Sequence, residues 1–315
     1  MDFKLSQFNI FAQCRKYKIP LWQCPQFLFT VMGLFIMISS IVFYAIGERY
    51  IFDPRMVALV VILVAIILLI IAFIITHSFE NLAEANRMKT EFVNIVSHQL
   101  RAPLTNLRWA TQFLLSKEFQ DSDQSEKLDY FDIIKENGNR MEGLIDDLLT
   151  ITRLKEGKLD SKRSSFALED LIEEVMNEYK PFFEANNIKV DFSPAKDLPK
   201  SFASYPLIRI VLENLIGNAV NYSQGAKKID IGLKCQKDRI IFTIKDRGMG
   251  IPQEDQKYIF EKFFRAKNAV RTEVLGTGLG LFIVKLILDG MNGKIWFSSK
   301  VGKGSVFNFS LAIKN

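Results

Sequence analysis

Four short segments in the C-terminal half of the chain place polar side chains and glycines at regular positions beside predicted helices and strands. IVLENLIGNAVNYS puts Asn214 and Asn218 four positions apart, so both amides project from one face of a helix. KDRGMGIP puts Asp246 at the end of a predicted strand. An asparagine amide oxygen suits Mg²⁺, and a strand-end carboxylate can accept a hydrogen bond from an amino group.

Glycines form the second part of this pattern. KDRGMGIP and GTGLGL contribute Gly248, Gly250, Gly276, Gly278 and Gly280. GTGLGL opens a predicted helix, and such turns let the backbone approach a phosphate and present free N–H groups to it. IFEKFFRA lies between the two segments and supplies Phe263 and Arg265. Each segment alone is also explained by turns, caps or core packing. GTGLGL does not match a dinucleotide-binding fingerprint, because no strand leads directly into it.

A histidine provides a candidate nucleophile in a different region. The chain has two histidines, and His98 lies within FVNIVSHQLRAPLTNL. The predicted helix there has an apolar face formed by Phe92, Val96, Leu100, Leu104 and Leu107. His98 lies about 200° from Val96 at 100° per residue, so we expect it to face water or a partner. Pro103 removes a backbone N–H, frees the Gln99 carbonyl and favours a bend.

Two uncharged runs near the N-terminus, residues 27–47 and 56–76, each have about the length that crosses a bilayer. Residues 1–26 carry four lysines and arginines against one aspartate, whereas the connector 48–55 has no net charge. The positive-inside rule therefore predicts a multi-pass protein of the cell (inner) membrane. Its N-terminus and all residues after 76 are expected to be cytoplasmic, and 48–55 is too short for an extracytoplasmic ligand-binding domain.

Residues 77–157 are predicted to form a helical hairpin. The second helix has a heptad seam with a single polar member, Asn137, and its members are Tyr130, Ile134, Asn137, Met141, Leu144, Leu148 and Ile151. The polar segment 116–127 is the predicted turn between the helices. One hairpin cannot cover its own seam completely, so two copies are expected to form a dimeric four-helix bundle.

Residues 158–315 alternate short strand patterns with helical ones, which predicts an α+β sandwich with helices on one face of a sheet. The net charge of +6 comes without a basic patch interleaved with aromatic residues. We therefore expect no nucleic-acid partner.

The four C-terminal segments, in this order and spacing, resemble the N, G1, F and G2 boxes of sensor histidine kinases, and SHQLRAPL resembles their H box. The resemblance covers residues 78–315. It implies a Bergerat (GHKL-type) ATP-binding domain with ATP and Mg²⁺ as cofactors. It also implies phosphorylation of His98 and transfer of the phosphoryl group to an aspartate of a response regulator, which we expect to be a separate chain.

The resemblance also implies individual roles. Asn218 matches the Mg²⁺ ligand, Asp246 the adenine contact and Arg265 a γ-phosphate contact. The five glycines match the lid hinges and phosphate loop, Phe263 anchors the lid, and Tyr222 is expected beside the nucleotide.

Three positions depart from the sensor histidine kinase pattern, and a fourth differs from related ATPases. Gln99 replaces the acidic residue that usually follows the histidine, so proton transfer is expected to be slower. Ala102 replaces the residue that positions water for dephosphorylating the regulator, and the changes at 99 and 102 together predict weak phosphatase activity. Asn221 stands where a lysine is common. Asn214 occupies the position at which related ATPases have a water-activating glutamate.

These departures define two alternatives to a kinase. A GHKL-type ATPase that only hydrolyses ATP is disfavoured, because the amide of Asn214 is a poor base. A catalytically impaired pseudokinase scaffold is left open by Gln99 and Asn221. The signal, the identity of the regulator and the choice between phosphorylation within or between subunits do not follow from the sequence.

Overall fold

The computed structural model describes residues 25–50, 53–116, 124–157, 162–223, 228–271 and 276–313. The chain divides into two compact units, Met1–His98 and Gln99–Asn315. The predicted N-terminal segment 1–26 lies almost entirely outside the described residues, as does most of the predicted turn 116–127.

Two apolar helices form the first unit. Helix α1 spans Pro25–Tyr50 and helix α2 begins at Pro54. They contain the predicted runs 27–47 and 56–76, but the interval between them is shorter than the predicted 48–55 because α1 continues to Tyr50. Only 6% of the most apolar window of each helix is buried. Both are long and apolar enough to cross a membrane, and neither is covered as a soluble core helix would be.

Helix α2 runs without interruption from Pro54 to Leu114 and includes Pro103. The second apolar run therefore continues directly into a polar helix. His98 is exposed, as its angular position predicts. Leu104, on the predicted apolar face, is 57% exposed in the single chain, whereas Pro103 and Ala110 are buried.

Helix α3 spans Gln124–Lys155 and pairs with the end of α2. All seven residues of the predicted seam are buried or half-buried, with Asn137, Leu144 and Ile151 most enclosed. The Asn106 Nδ2 donates to Asn137 Oδ1 at 3.2 Å, and Asn137 Nδ2 donates to the Ile133 carbonyl at 2.7 Å. The single polar seam residue is thus satisfied within the hairpin.

The remaining part is the predicted α+β sandwich. Its helices are α4 (Leu168–Ala185), α5 (Tyr205–Tyr222), α6 (Lys267–Arg271) and α7 (Gly280–Gly290). Its strands are β1 (Ser164–Phe166), β2 (Lys189–Pro194), β3 (Ser201–Ala203), β4 (Lys228–Gln236), β5 (Arg239–Lys245), β6 (Lys294–Lys300) and β7 (Gly304–Ala312).

The five-stranded sheet has the order β2-β4-β5-β7-β6 and is antiparallel except for the β2–β4 pair. Its inner face packs on α4, α5 and α7 through fully buried side chains such as Phe242, Phe309 and Leu212. Strands β1 and β3 form a separate antiparallel pair. This packing fixes the ends of α5, β5 and α7 beside one another.

Candidate functional site

Helix α5 carries the two asparagines at the edge of the core. Ser204 is its N-cap residue and Pro206 lies in its first turn. Eight apolar side chains of α5 are buried, whereas Asn214 and Asn218 are half-buried at the border of that buried face. Burial of the apolar face against the sheet therefore turns the asparagines toward the open edge of the domain.

Asn214 is held in place by two contacts. Its Nδ2 donates to the Ile210 carbonyl at 2.8 Å. A Cβ atom at Gly280 would lie 2.3 Å from its Oδ1, so this amide packs directly on the first residue of α7. The side chain joins two helices and is a poor candidate for activating water.

Asp246 lies at the end of β5 and is 6% exposed. Its Oδ1 accepts hydrogen bonds from the backbone N–H groups of Gly248 at 2.9 Å and Ser305 at 3.1 Å. Burial raises the pKa of this carboxyl, and the two backbone donors counteract part of that rise. Since both backbone donors use Oδ1, Oδ2 is the atom that can accept a hydrogen bond from a ligand.

A pocket opens above Asp246. It holds about 640 Å³ counted out to its solvent-filled mouth. Most of its wall is apolar, and its lining includes Asn218, Tyr222, Asp246, Met249, Gly250, Ile251, Asn268 and Ser305. An apolar slot with one buried carboxylate at its base suits a planar heterocycle that carries an amino group.

Close backbone approaches explain two of the glycines. A Cβ atom at Gly248 would lie 1.9 Å from the Tyr222 carbonyl oxygen, which accepts a hydrogen bond from Met249 N–H at 3.3 Å. Gly278 has φ +73° and would place a Cβ 2.7 Å from the Phe263 backbone. Any other residue at either position would push the pocket wall apart.

The segment from Phe263 to Asn268, which leads into α6, is anchored at several points. Phe263 adopts φ +61°, and Gly278 packs on its backbone. The Asp255 carboxylate accepts the Lys267 N–H at 2.8 Å, and Asn268 Nδ2 donates to the Gly250 carbonyl at 2.7 Å. These bonds hold α6 against the loop that follows Asp246.

Arg265 and Tyr222 lie close to each other. Arg265 Nη2 donates to the Ala269 carbonyl at 3.4 Å. Burial raises the pKa of the Tyr222 hydroxyl, and the positive charge of Arg265 lowers it. The Tyr222 hydroxyl also lies 3.9 Å from the Cβ position of Gly276, so this tyrosine connects the pocket to the glycine loop 276–280.

The glycine loop also touches the helical hairpin. Thr277 Oγ1 donates to Asp147 Oδ2 on α3 at 2.6 Å and accepts the Leu279 N–H at 3.2 Å. Leu144 and Ile151 of the same helix face join the hydrophobic core of the sandwich. Burial raises the pKa of Asp147, the Thr277 hydrogen bond lowers it, and the neighbouring Asp146 raises it.

The structure brings most of the predicted residues together. Asn218, Tyr222, Asp246 and Gly250 line the pocket, and Gly248, Phe263, Arg265, Gly276, Gly278, Gly280 and Asn214 form its support. Asn221 is exposed and lies outside the lining. Sequence reasoning missed Ser305, Asn268 and Thr277. Thr277 could have been found from its place inside GTGLGL, whereas the other two lie in unremarkable sequence.

The residues present fit a magnesium nucleotide. Among the described residues, no group of three or more histidine, cysteine, aspartate or glutamate side chains could hold a metal ion. An asparagine oxygen beside a pocket fits an ion held mainly by phosphate and water. The N-terminus of α7 is preceded by glycines and has no acidic residue in its first turn, which suits an anion.

Two family models match the chain. Residues 88–157 match the His Kinase A (phospho-acceptor) domain, and residues 204–315 match the histidine kinase-, DNA gyrase B- and HSP90-like ATPase domain. The chain belongs to the sensor histidine kinases. Its phosphoacceptor domain contains His98 and the hairpin, and its ATP-binding domain contains the pocket.

Curated relatives agree with this assignment. This histidine kinase is 32% identical over 240 residues to drug sensory protein A of Synechocystis, covering 73% of this chain and 36% of that protein. It is 29% identical over 245 residues to the adaptive-response sensory kinase SasA of Synechocystis, covering 76% of this chain and 63% of that protein. The chain thus spans between one third and two thirds of the length of these two relatives.

A solved structure shares the fold. The histidine kinase ThkA, in a crystal structure with the response regulator protein TrrA, has a TM-score of 0.56 and 24% identity, covering 73% of this chain and 64% of that chain. At this identity the likeness shows the fold of the hairpin and the ATP-binding domain.

Proposed function

We propose that this kinase transfers the γ-phosphoryl group of ATP to His98 and then to an aspartate of a separate response regulator. The observation that carries the proposal is the exposed imidazole of His98, on a helix that matches the phosphoacceptor domain, in a chain that also has an ATP-binding domain. A neutral imidazole is a good nucleophile near neutral pH, and its exposure leaves it open to in-line attack.

The roles of the pocket residues follow from their positions. Asp246 Oδ2 is proposed to accept the adenine amino group, and Asn218 to bind Mg²⁺, which neutralises phosphate charge when present. The loop 276–280 and Arg265 are proposed to hold the phosphates. His98 forms the N–P bond, the bond to the β-phosphate oxygen breaks, and ADP leaves with that electron pair. The Gln99 amide can orient the N–H of the other ring nitrogen of His98. Because the amide cannot accept that proton, the proton must go to solvent.

The protein is proposed to work as a homodimer at a cell (inner) membrane. Two apolar helices with little buried surface support membrane insertion, and the charge of residues 1–26 favours a cytoplasmic kinase. Leu104 is exposed on the predicted apolar face of the hairpin, which supports a dimer in which a second copy of the chain covers it.

The two alternatives fare differently. Asn214 packs its amide between α5 and α7, so this side chain does not favour simple ATP hydrolysis. A pseudokinase scaffold predicts an ATP-binding protein that never becomes phosphorylated, and the following experiment separates it from a kinase.

The test uses the full chain in detergent micelles with Mg²⁺ and γ-labelled ATP. We expect wild type to acquire label that is stable in base and lost in acid, and His98→Ala and Asn218→Ala to acquire none. His77→Ala is the matched control, since His77 is the other histidine and is also exposed, and it should label as wild type does. Labelling of His98→Ala would contradict the proposal.

A further inference from the structure

The glycine loop and the hairpin share a contact that the proposed chemistry does not use. Thr277, between Gly276 and Gly278, donates from its hydroxyl to Asp147 Oδ2 at 2.6 Å. The Thr277 Oγ1 in turn accepts the N–H of Leu279, the residue just before α7. One hydroxyl therefore connects a carboxylate on α3 to the N-terminus of the helix that is proposed to receive the phosphates.

The contact places negative charge where a phosphate is expected. Asp147 is half-buried, and Leu144 and Ile151 on the same helix are packed into the core of the sandwich, so this packing places the carboxylate beside the loop. Its neighbour Asp146 is exposed. A carboxylate one hydroxyl away from the loop repels a triphosphate and also engages a helix N-terminus that an anion would otherwise occupy.

We propose that Asp147 is a positioning residue that ties the glycine loop to the hairpin through Thr277 and thereby weakens the binding of anionic nucleotides. The inference rests on the proposed nucleotide site. It makes ATP affinity depend on the hairpin: a movement of α3 that separates Asp147 from Thr277 strengthens ATP binding, and ATP binding in turn favours that separation.

The test compares ATP, ADP and adenosine by equilibrium binding to the full chain in detergent micelles with Mg²⁺. All variants carry His98→Ala, so that no phosphoryl transfer occurs. Asp147→Asn keeps an oxygen for the Thr277 hydroxyl but removes the charge. We expect it to bind ATP about threefold to tenfold more tightly, ADP less so and adenosine unchanged, as one partly screened charge predicts.

Asp146→Asn is the matched control. It removes the same charge from the next residue of the same helix, where solvent screens it, and should change ATP affinity by less than about twofold. Thr277→Val tests the connection: if Asp147 acts through Thr277, the gain from Asp147→Asn is smaller in the Thr277→Val background.

The outcomes are distinct. Unchanged or weaker ATP binding by Asp147→Asn, an equal change for adenosine, or the same gain in both Thr277 backgrounds would overturn this inference while leaving the nucleotide site intact. Failure of the Asp147 wild-type protein to bind ATP at all would instead remove the proposed function.

Discussion

At the scale of single residues, Asp246 shows how a binding group is maintained at a cost to stability. Its carboxylate is buried at the base of the pocket with Oδ1 bonded to two backbone N–H groups. Burial raises its pKa despite those bonds, so the folded protein binds this proton more tightly than the unfolded chain does. The charged form is therefore a destabilising element at neutral pH.

Asp246→Asn should raise the unfolding temperature at pH 7 and abolish ATP binding. The amide oxygen can still accept both backbone bonds, but its NH₂ group repels the adenine amino group. As pH falls toward the raised pKa, wild type becomes protonated and gains stability, so the two unfolding temperatures should converge. Thermal unfolding followed by intrinsic fluorescence across pH tests this, and a difference that grows at low pH would contradict it.

Gln99 gives a second prediction at this scale. Gln99→Glu supplies a carboxylate that can take the proton from the imidazole, and general-base catalysis supports an increase of about tenfold or more in the autophosphorylation rate. Initial rates with labelled ATP measure it. The double variant Gln99→Glu, His98→Ala should stay unlabelled, which excludes phosphorylation of the new glutamate. An unchanged rate would show that proton removal does not limit the reaction.

At the scale of elements, the junction of α5 and α7 depends on the absence of a side chain at Gly280. A Cβ there would lie 2.3 Å from Asn214 Oδ1, whereas a Cβ at Gly290, at the other end of α7, would meet nothing within 4 Å. The two glycines therefore form a matched pair within one helix.

Gly280→Ala should destabilise the protein by about 1–3 kcal/mol through overpacking and weaken ATP binding, because the loop before α7 must shift. Gly290→Ala should be neutral or stabilising by up to about 1 kcal/mol. Adding Asn214→Ala to Gly280→Ala makes room for the methyl group and should recover part of the loss. Chemical unfolding of the solubilised chain measures all four proteins, and equal effects of the two alanines would contradict the packing argument.

The elements themselves were largely predictable from the sequence. Helices α4, α5 and α7 and strands β2, β4, β5, β6 and β7 follow periodic apolar patterns, and the sandwich and the hairpin seam are confirmed. Strands β1 and β3 were missed because three residues cannot show a period, and they pair only with each other. The contact of Asp147 with Thr277 joins positions 130 residues apart and has no local signal. The exposure of Leu104 in the single chain could not be predicted, because an apolar helix face can be covered by a second chain as well as by its own hairpin.

At the scale of the whole molecule, the proposed homodimer makes a prediction about exposed apolar residues. Leu104 on the hairpin and Val301 in the ATP-binding domain are both 57% exposed in the single chain. Leu104→Glu should shift the solubilised protein toward monomer and reduce labelling, because a charge would be buried between copies. Val301→Glu should leave both unchanged. Light scattering after size-exclusion chromatography measures the mass, and a Leu104→Glu protein that remains dimeric would contradict this placement of the interface.

The continuity of helix α2 has a consequence for how a change in the apolar run could reach His98. It is continuous from Pro54 to Leu114, so the end of the apolar run at Thr76 and the imidazole at His98 share one rigid rod, roughly 33 Å apart along its axis. An insertion between these two points rotates His98 about the helix axis relative to the apolar run. Seven inserted residues leave its direction within about 20° of the original, whereas two inserted residues rotate it by about 200°. Kinase activity should therefore vary periodically with the length of the insertion, and under the proposed membrane insertion a signal would reach His98 as a rotation or an axial shift of this helix.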